Sequence, residues 1–184
     1  MMDNEAELET LEPEGLSLLF HGEIDDDSTA DLLPALLSVK ETLSKGSIIN
    51  IYICTPGGCA YNMFAIYDTI RIMVEDGYDV RTHALGRVMS GGVLLLAAGK
   101  KGTRTIAKNT RVMIHGIAGE NMGTVNALQS DMSEIKSIQN QFIESLVAES
   151  KISQRQLKRM MGRNVNVYLS SEEAVKFGIA DLII

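Results

Sequence analysis

Val80-Arg-Thr-His-Ala-Leu-Gly-Arg-Val-Met-Ser90-Gly-Gly-Val-Leu-Leu-Leu-Ala-Ala-Gly99 carries the two periods on which the fold class of this chain turns. Residues 80–85 read as a strand, and residues 91–98 form a continuous apolar stretch of helical character. Ser90 stands at the junction. A serine at the first turn of a helix has backbone N–H groups and the positive end of the helix dipole close to its oxygen, and both favour an anion formed there. Glycines at 91 and 92 let a substrate backbone come close. Taken alone, Ser before Gly-Gly reads as an ordinary helix cap, so a nucleophile needs support from the rest of the chain.

Outward from this stretch the same alternation repeats. Strand-like runs at 17–20, 48–53, 80–85, 103–107 and 111–114 alternate with helical patterns at about 28–44, 59–74, 91–98, 124–150 and 153–161, an order that predicts an α/β fold. Ser153-x-x-Gln156 and Ser170-x-x-Glu173 have the form of capping boxes, and Gly178 that of a C-terminal helix stop. In the segment 124–150, Val125, Leu128, Met132, Ile135, Ile138, Phe142 and Leu146 recur at three- or four-residue steps, an apolar stripe on one helix. About 27 residues span roughly 40 Å, so such a helix outreaches a domain of this size and its projecting part needs a partner.

A serine nucleophile needs a base, and the chain has three histidines. His115 ends the strand-like run Asn109-Thr-Arg-Val-Met-Ile-His115 and precedes a glycine, a setting suited to a working imidazole. His21 precedes Gly22 in an acidic turn and His83 lies within a strand pattern; both read as structural histidines. Upstream, the strand-like run Ile49-Asn-Ile-Tyr-Ile-Cys-Thr-Pro-Gly-Gly58 enters a turn that exposes backbone N–H groups free of side chains.

Turn, serine and histidine occur in a recognisable order. Cys54-Thr-Pro-Gly-Gly58 with Ile66-Tyr-Asp-Thr-Ile70, Ser90-Gly-Gly with Leu94-Leu-Leu-Ala-Ala-Gly99 and Gly102-x-Arg104, Asn109-x-Arg-Val-Met-Ile-His115, and the tail Tyr168-Leu-Ser-Ser-Glu-Glu-Ala-Val-Lys-Phe-Gly178-Ile-Ala-Asp181 together resemble the proteolytic subunits of the Clp protease family over roughly residues 16–184. The resemblance implies a ClpP/crotonase-like fold of stacked β-sheets with surrounding helices and a long projecting handle helix, the handle region lying at about 116–150 of a peptidase domain spanning 15–184. It implies a self-compartmentalised serine endopeptidase acting on unfolded polypeptides or peptides. Ser90 matches the nucleophile, His115 the general base, and the backbone N–H groups of Gly58 and Gly91 the oxyanion hole.

The third triad position departs from the family. Aligning Tyr168-Leu169-Ser170 with the family pattern puts Asn166 where the family has aspartate. A neutral amide can hold an imidazole but cannot stabilise an imidazolium, and in a related triad the Asp-to-Asn change lowers turnover by about 10⁴. Weak intrinsic activity is the expectation. Asp181, Asp131 and Glu120 are acids that could substitute, though none stands at the matching position. Gly91 replaces a commonly bulkier residue, and Gly116-Ile117 replaces the usual Gln-Pro. The alternatives are a catalytically weak or inactive structural subunit of a mixed Clp barrel, a viral capsid-maturation ClpP-like protease, and, disfavoured by length and motif, a crotonase-type acyl-CoA enzyme.

The 184 residues are 45% hydrophobic, enough for one domain with a real core. The longest apolar run, 93–98, is too short to cross a bilayer and there is no basic leader region, so a cytoplasmic protein without membrane contact is expected. Cys54 and Cys59 are too few for a disulfide framework and lack ligand neighbours; no metal or cofactor is expected, ATP being used only by a partner unfoldase. The first 39 residues contain 11 acids and no Lys or Arg, leaving 13 acids against 17 bases in the remainder. An acidic arm repels phosphate, so nucleic acid is not an expected partner, and residues 1–14 read as a solvated, disordered arm. The resemblance implies a homo-oligomer of two stacked heptameric rings, with an AAA+ unfoldase or a ClpP paralogue as further partners. The acidic arm lacks the family's basic and aromatic run and puts standard unfoldase docking in doubt.

Overall fold

The computed structural model describes residues 15–162 and 165–184; the acidic arm expected over residues 1–14 lies outside the described residues. Five strands, β1 (Leu16–His21), β2 (Ile48–Thr55), β3 (Asp79–Met89), β4 (Thr105–Ile106) and β7 (Leu182–Ile183), run parallel in the order β1-β2-β3-β4-β7. β5 (Arg111–Ile114) pairs in parallel with the far end of β3 and antiparallel with β6 (Val167–Leu169). Parallel neighbours need a crossover. Helix α1 (Asp26–Thr42) supplies it between β1 and β2, and α2 (Ala60–Glu75) between β2 and β3.

The alternation read from the sequence becomes one dry and one half-open sheet face. Ile49, Ile51 and Ile53 on β2 and Val80, Ala84 and Val88 on β3 are fully buried beneath Leu36 and Val39 of α1 and Ile66, Ile70 and Met73 of α2. Each such side chain contributes about 1.5–3 kcal/mol on burial. The other face presents Asn50, Tyr52, Arg81 and His83, which remain half-exposed. Helix α3 (Gly91–Ala97) is buried along its whole length and drives into the core behind the end of β3.

Two boundaries differ from the sequence reading, each for a tertiary reason. β3 does not end at Leu85 but continues to Met89: a register shift between Ile53 and Thr55 brings Thr55 opposite Val88, and Arg87–Met89 pair with β5. Gly86, at φ +63°, is the bend within that strand. The expected strand at 103–107 is reduced to the two residues of β4.

Helix α4 (Val125–Glu149) has 25 residues, about 37 Å. Its C-terminal half buries Ile138, Phe142, Ile143 and Leu146, whereas Val125 is 70% and Met132 53% exposed. The apolar stripe therefore finds a partner within the chain along only part of its length. Helices α5 (Gln154–Met161) and α6 (Ser171–Lys176) open on the expected capping boxes at Ser153 and Ser170. Gly178, at φ +69°, ends α6, with its own N–H donated to the Val175 carbonyl and that of Ile179 to Ala174, the paired bonds of a Schellman cap.

Candidate active site

Ser90 lies between β3 and α3 with φ 53° and ψ −123°, the one non-glycine residue at positive φ among the described residues. Such a conformation costs about 1–3 kcal/mol and persists only where the surroundings fix it. Here they do. The Ser90 N–H donates to the Met113 carbonyl of β5 at 2.8 Å, and the Ser90 carbonyl accepts from Val93 N–H at 3.1 Å. Gly92 brings α3 down onto β2: a Cβ there would stand 2.4 Å from Thr55 Cγ2. A Cβ on Gly91 would stand 3.1 Å from Met63 Sδ, so Met63 occupies space a larger residue at 91 would need.

His115 follows β5. Because β5 is registered on β3 with Met113 opposite Met89, one strand end delivers the serine and the next delivers the imidazole. His115 Nε2 is 2.8 Å from Ser90 Oγ, a distance at which the ring accepts the hydroxyl proton when Nδ1 carries the hydrogen.

The Pro-Gly-Gly turn arrives from the end of β2. Gly57 and Gly58 have φ of +96° and +155°, in the region that favours glycine. Thr55 Oγ1 accepts the Gly57 N–H at 3.0 Å, the Gly57 carbonyl accepts Ile24 N–H at 2.9 Å, and Cys59 N–H donates to the Ile24 carbonyl at 2.7 Å. This pinning employs Gly57 and Cys59 and leaves the Gly58 N–H out of the ladder. A Cβ at Gly57 would lie 2.5 Å from Ser90 Cβ, and one at Gly58 only 2.2 Å from the Ile24 carbonyl oxygen. Gly58, Ser90, Gly91 and His115 line one cleft with Ala60, Met63, Ile117 and Phe142, an apolar recess beside the hydroxyl.

Asn166 immediately precedes β6, whose register on β5 runs Leu169 to Val112, Tyr168 to Met113 and Val167 to Ile114. One step further along that register sets Asn166 opposite His115, and the two line a common cavity. The hydrogen bond of the Asn166 side chain goes to a different partner: its Nδ2 donates to Tyr168 Oη at 3.3 Å. Among the described residues no group is hydrogen-bonded to His115 Nδ1.

The acids named as substitutes are not gathered here. Asp181 accepts from Arg104 Nε at 2.8 Å and Nη2 at 2.6 Å, and from the backbone N–H groups of Gly102 and Arg104. Burial opposes its charge, but these donors together hold its carboxyl below the usual range. Asp131 accepts from Asn121 Nδ2, and Glu120 is exposed on the loop after His115. His83 is satisfied on the sheet face, with Nδ1 2.8 Å from Thr105 Oγ1, Nε2 3.0 Å from Asn50 Oδ1, and its ring stacked on Tyr52. Burial and then the nearby Arg81 push its pKa down. His21 is exposed, and Cys54 and Cys59 are unpaired. Among the described residues no group of three or more His, Cys, Asp or Glu could hold a metal ion, and no helix is long and apolar enough to cross a membrane.

Sequence reasoning missed Gly57, Thr55 and Ile24, which fix the turn against the serine, and Gln139 of α4, whose Oε1 accepts the Ile117 N–H at 3.2 Å behind His115. Only Gly57 carried a local signal, as the first glycine of Pro-Gly-Gly.

Comparison with known proteins agrees with the family resemblance carried by the sequence motifs. The sequence profile described as Clp protease matches residues 14–184. Over 167 residues the chain is 35% identical to the ATP-dependent Clp protease proteolytic subunit 1 of Corynebacterium diphtheriae, a match covering 90% of this chain and 78% of that protein.

Proposed function

The chain belongs to the Clp protease family and is a serine-type endopeptidase subunit, and from that premise we propose that Ser90 and His115 perform the chemistry while Asn166 is a weak third member. The observation that carries this assignment is the 2.8 Å approach of His115 Nε2 to Ser90 Oγ, with the serine held at positive φ in a cleft it shares with Gly58 and Gly91.

In the proposed sequence His115 Nε2 takes the proton as Ser90 Oγ attacks the scissile carbonyl carbon. The oxygen that becomes negative lies between the N–H groups of Gly58 and Gly91, each such donor contributing about 3–4 kcal/mol because its charge partner exists only in the transition state. His115 then passes the proton to the leaving amine and the acyl group stays on Ser90. Water attacks the ester, gives its proton to Nε2, and the serine is regenerated.

Asn166 sets the rate. Its Oδ1 can accept the Nδ1 hydrogen and so select the tautomer that leaves Nε2 bare, but it brings no negative charge to the imidazolium. The turn of its amide toward Tyr168 supports weak intrinsic activity. The same observation favours a second reading, a subunit that chiefly builds a mixed Clp barrel.

For assembly we propose two stacked heptameric rings in which the exposed apolar half of α4 meets its counterpart as the handle; Val125, Leu128 and Met132 at its surface support this. Residues 15–184 would form the peptidase domain and 1–14 an acidic arm. Enclosure would confine cleavage to unfolded chains, and the ATP in the relative's name would be hydrolysed by a separate AAA+ unfoldase. The test is hydrolysis of a permanently unfolded polypeptide, a folded protein and a short fluorogenic peptide. Cleavage of the first and third but not the second, abolished by Ser90→Ala, is expected; cleavage that survives Ser90→Ala overturns the assignment.

A further inference from the structure

We propose that the Tyr168 hydroxyl is an autoinhibitory positioning group, which draws Asn166 away from His115 and keeps most molecules in a resting arrangement; this rests on Asn166 being the third member. The register of β5 and β6, continued by one pair, places Asn166 opposite His115, and directly opposed residues on antiparallel strands have Cβ atoms about 4.5–5.5 Å apart. No backbone movement is then needed for Asn166 to reach the ring; rotation of its side chain suffices. Tyr168 lies two residues further along the same strand, and so on the same face as Asn166. It offers a competing partner, and the amide has taken it at 3.3 Å.

The competition is close because position 166 is an amide. A carboxylate there would gain the charge of the imidazolium, far more than a phenol returns. An amide gains one neutral hydrogen bond in either place. A neutral hydrogen bond of this kind shifts an equilibrium by about two- to tenfold, so loss of the phenol oxygen should raise the population with Asn166 Oδ1 on His115 Nδ1–H by that factor.

The experiment compares kcat and KM on a short fluorogenic peptide for the native chain, Tyr168→Phe, Asn166→Ala and the double variant, with thermal unfolding to establish that each is folded. Tyr168→Phe is expected to raise kcat about two- to tenfold with KM unchanged. In the Asn166→Ala background the same change should do nothing. Tyr168→Phe that leaves kcat unchanged or lowers it, while Asn166→Ala is slower than native, overturns the proposal alone, as does an equal gain in both backgrounds. If adding Asn166→Ala to Tyr168→Phe costs no rate, the reading of Asn166 as third member fails with it.

Discussion

Replacing Gly57 with alanine tests the site through a residue that takes no part in the chemistry. An ideal Cβ at 57 falls 2.5 Å from Ser90 Cβ and 2.9 Å from the Met89 carbonyl oxygen. Ordinary contact begins near 3.4 Å, so the nucleophile and the turn must separate by about 0.9 Å. Neither is free to yield, since Ser90 is tied to Met113 and the turn to Ile24 and Thr55. Misplacement by about 1 Å lowers an enzymatic rate about 10²-fold. The left-handed φ of +96° adds about 1–2 kcal/mol of strain in the native state. Gly57→Ala should thus lose about two orders of magnitude in kcat/KM on a fluorogenic peptide and unfold a few degrees earlier. Gly102→Ala is the matched control: φ is +93° but nothing lies within 4 Å of the added carbon, so it should share the modest destabilisation and keep its activity. Gly57→Ala retaining activity within threefold of Gly102→Ala would refute the argument that this glycine exists to seat the serine.

Other consequences follow from groups away from the hydroxyl. Asp181→Asn leaves the buried Arg104, 3% exposed, without its counter-charge, at a cost of about 3 kcal/mol, which calorimetry should record as a melting temperature roughly 6–12 °C lower. His83 has a folded-state pKa below its ordinary 6.5, so the unfolded chain binds the extra proton first and native stability must fall as pH drops below 6.5. Denaturant titrations at pH 7 and pH 5 should show a smaller loss for His83→Gln than for the native chain, and equal losses would contradict the assignment. Val125→Asp and Met132→Asp alter exposed side chains and should leave the secondary structure intact while reducing the assembled mass in sedimentation velocity; unchanged mass would remove the exposed half of α4 from the assembly contact.

The proposed nucleophile and base could be singled out from the sequence because each is marked locally. Ser90 stands where a strand period gives way to a helix, and His115 closes a strand next to glycine, so short-range chemistry carries both. The turn proposed as part of the oxyanion hole was legible as Pro-Gly-Gly, yet the need for Gly57 was not, because the atom it makes room for is 33 positions away in sequence. β6 and β7 were not foreseen: three and two residues hold no readable period, and each exists by pairing with a strand already in place. The extension of β3 past Gly86 was hidden for the same reason, since β5 stabilises it. Asn166 was found through resemblance, and the register of β6 explains the position. Its bond to Tyr168 depends on side-chain rotation, which no pattern of residue types encodes.

The central claim is that Ser90 is an activated nucleophile served by His115 and restrained by an amide at 166. Its most direct measurement is the rate of covalent labelling by a fluorophosphonate, followed by intact mass and located by peptide mass spectrometry, for the native chain, Ser90→Ala, His115→Ala and Asn166→Asp. Labelling at Ser90 alone, abolished by Ser90→Ala and His115→Ala and accelerated by Asn166→Asp, is the predicted result. Labelling elsewhere in the chain, or none in the native protein and none after Asn166→Asp, would contradict it.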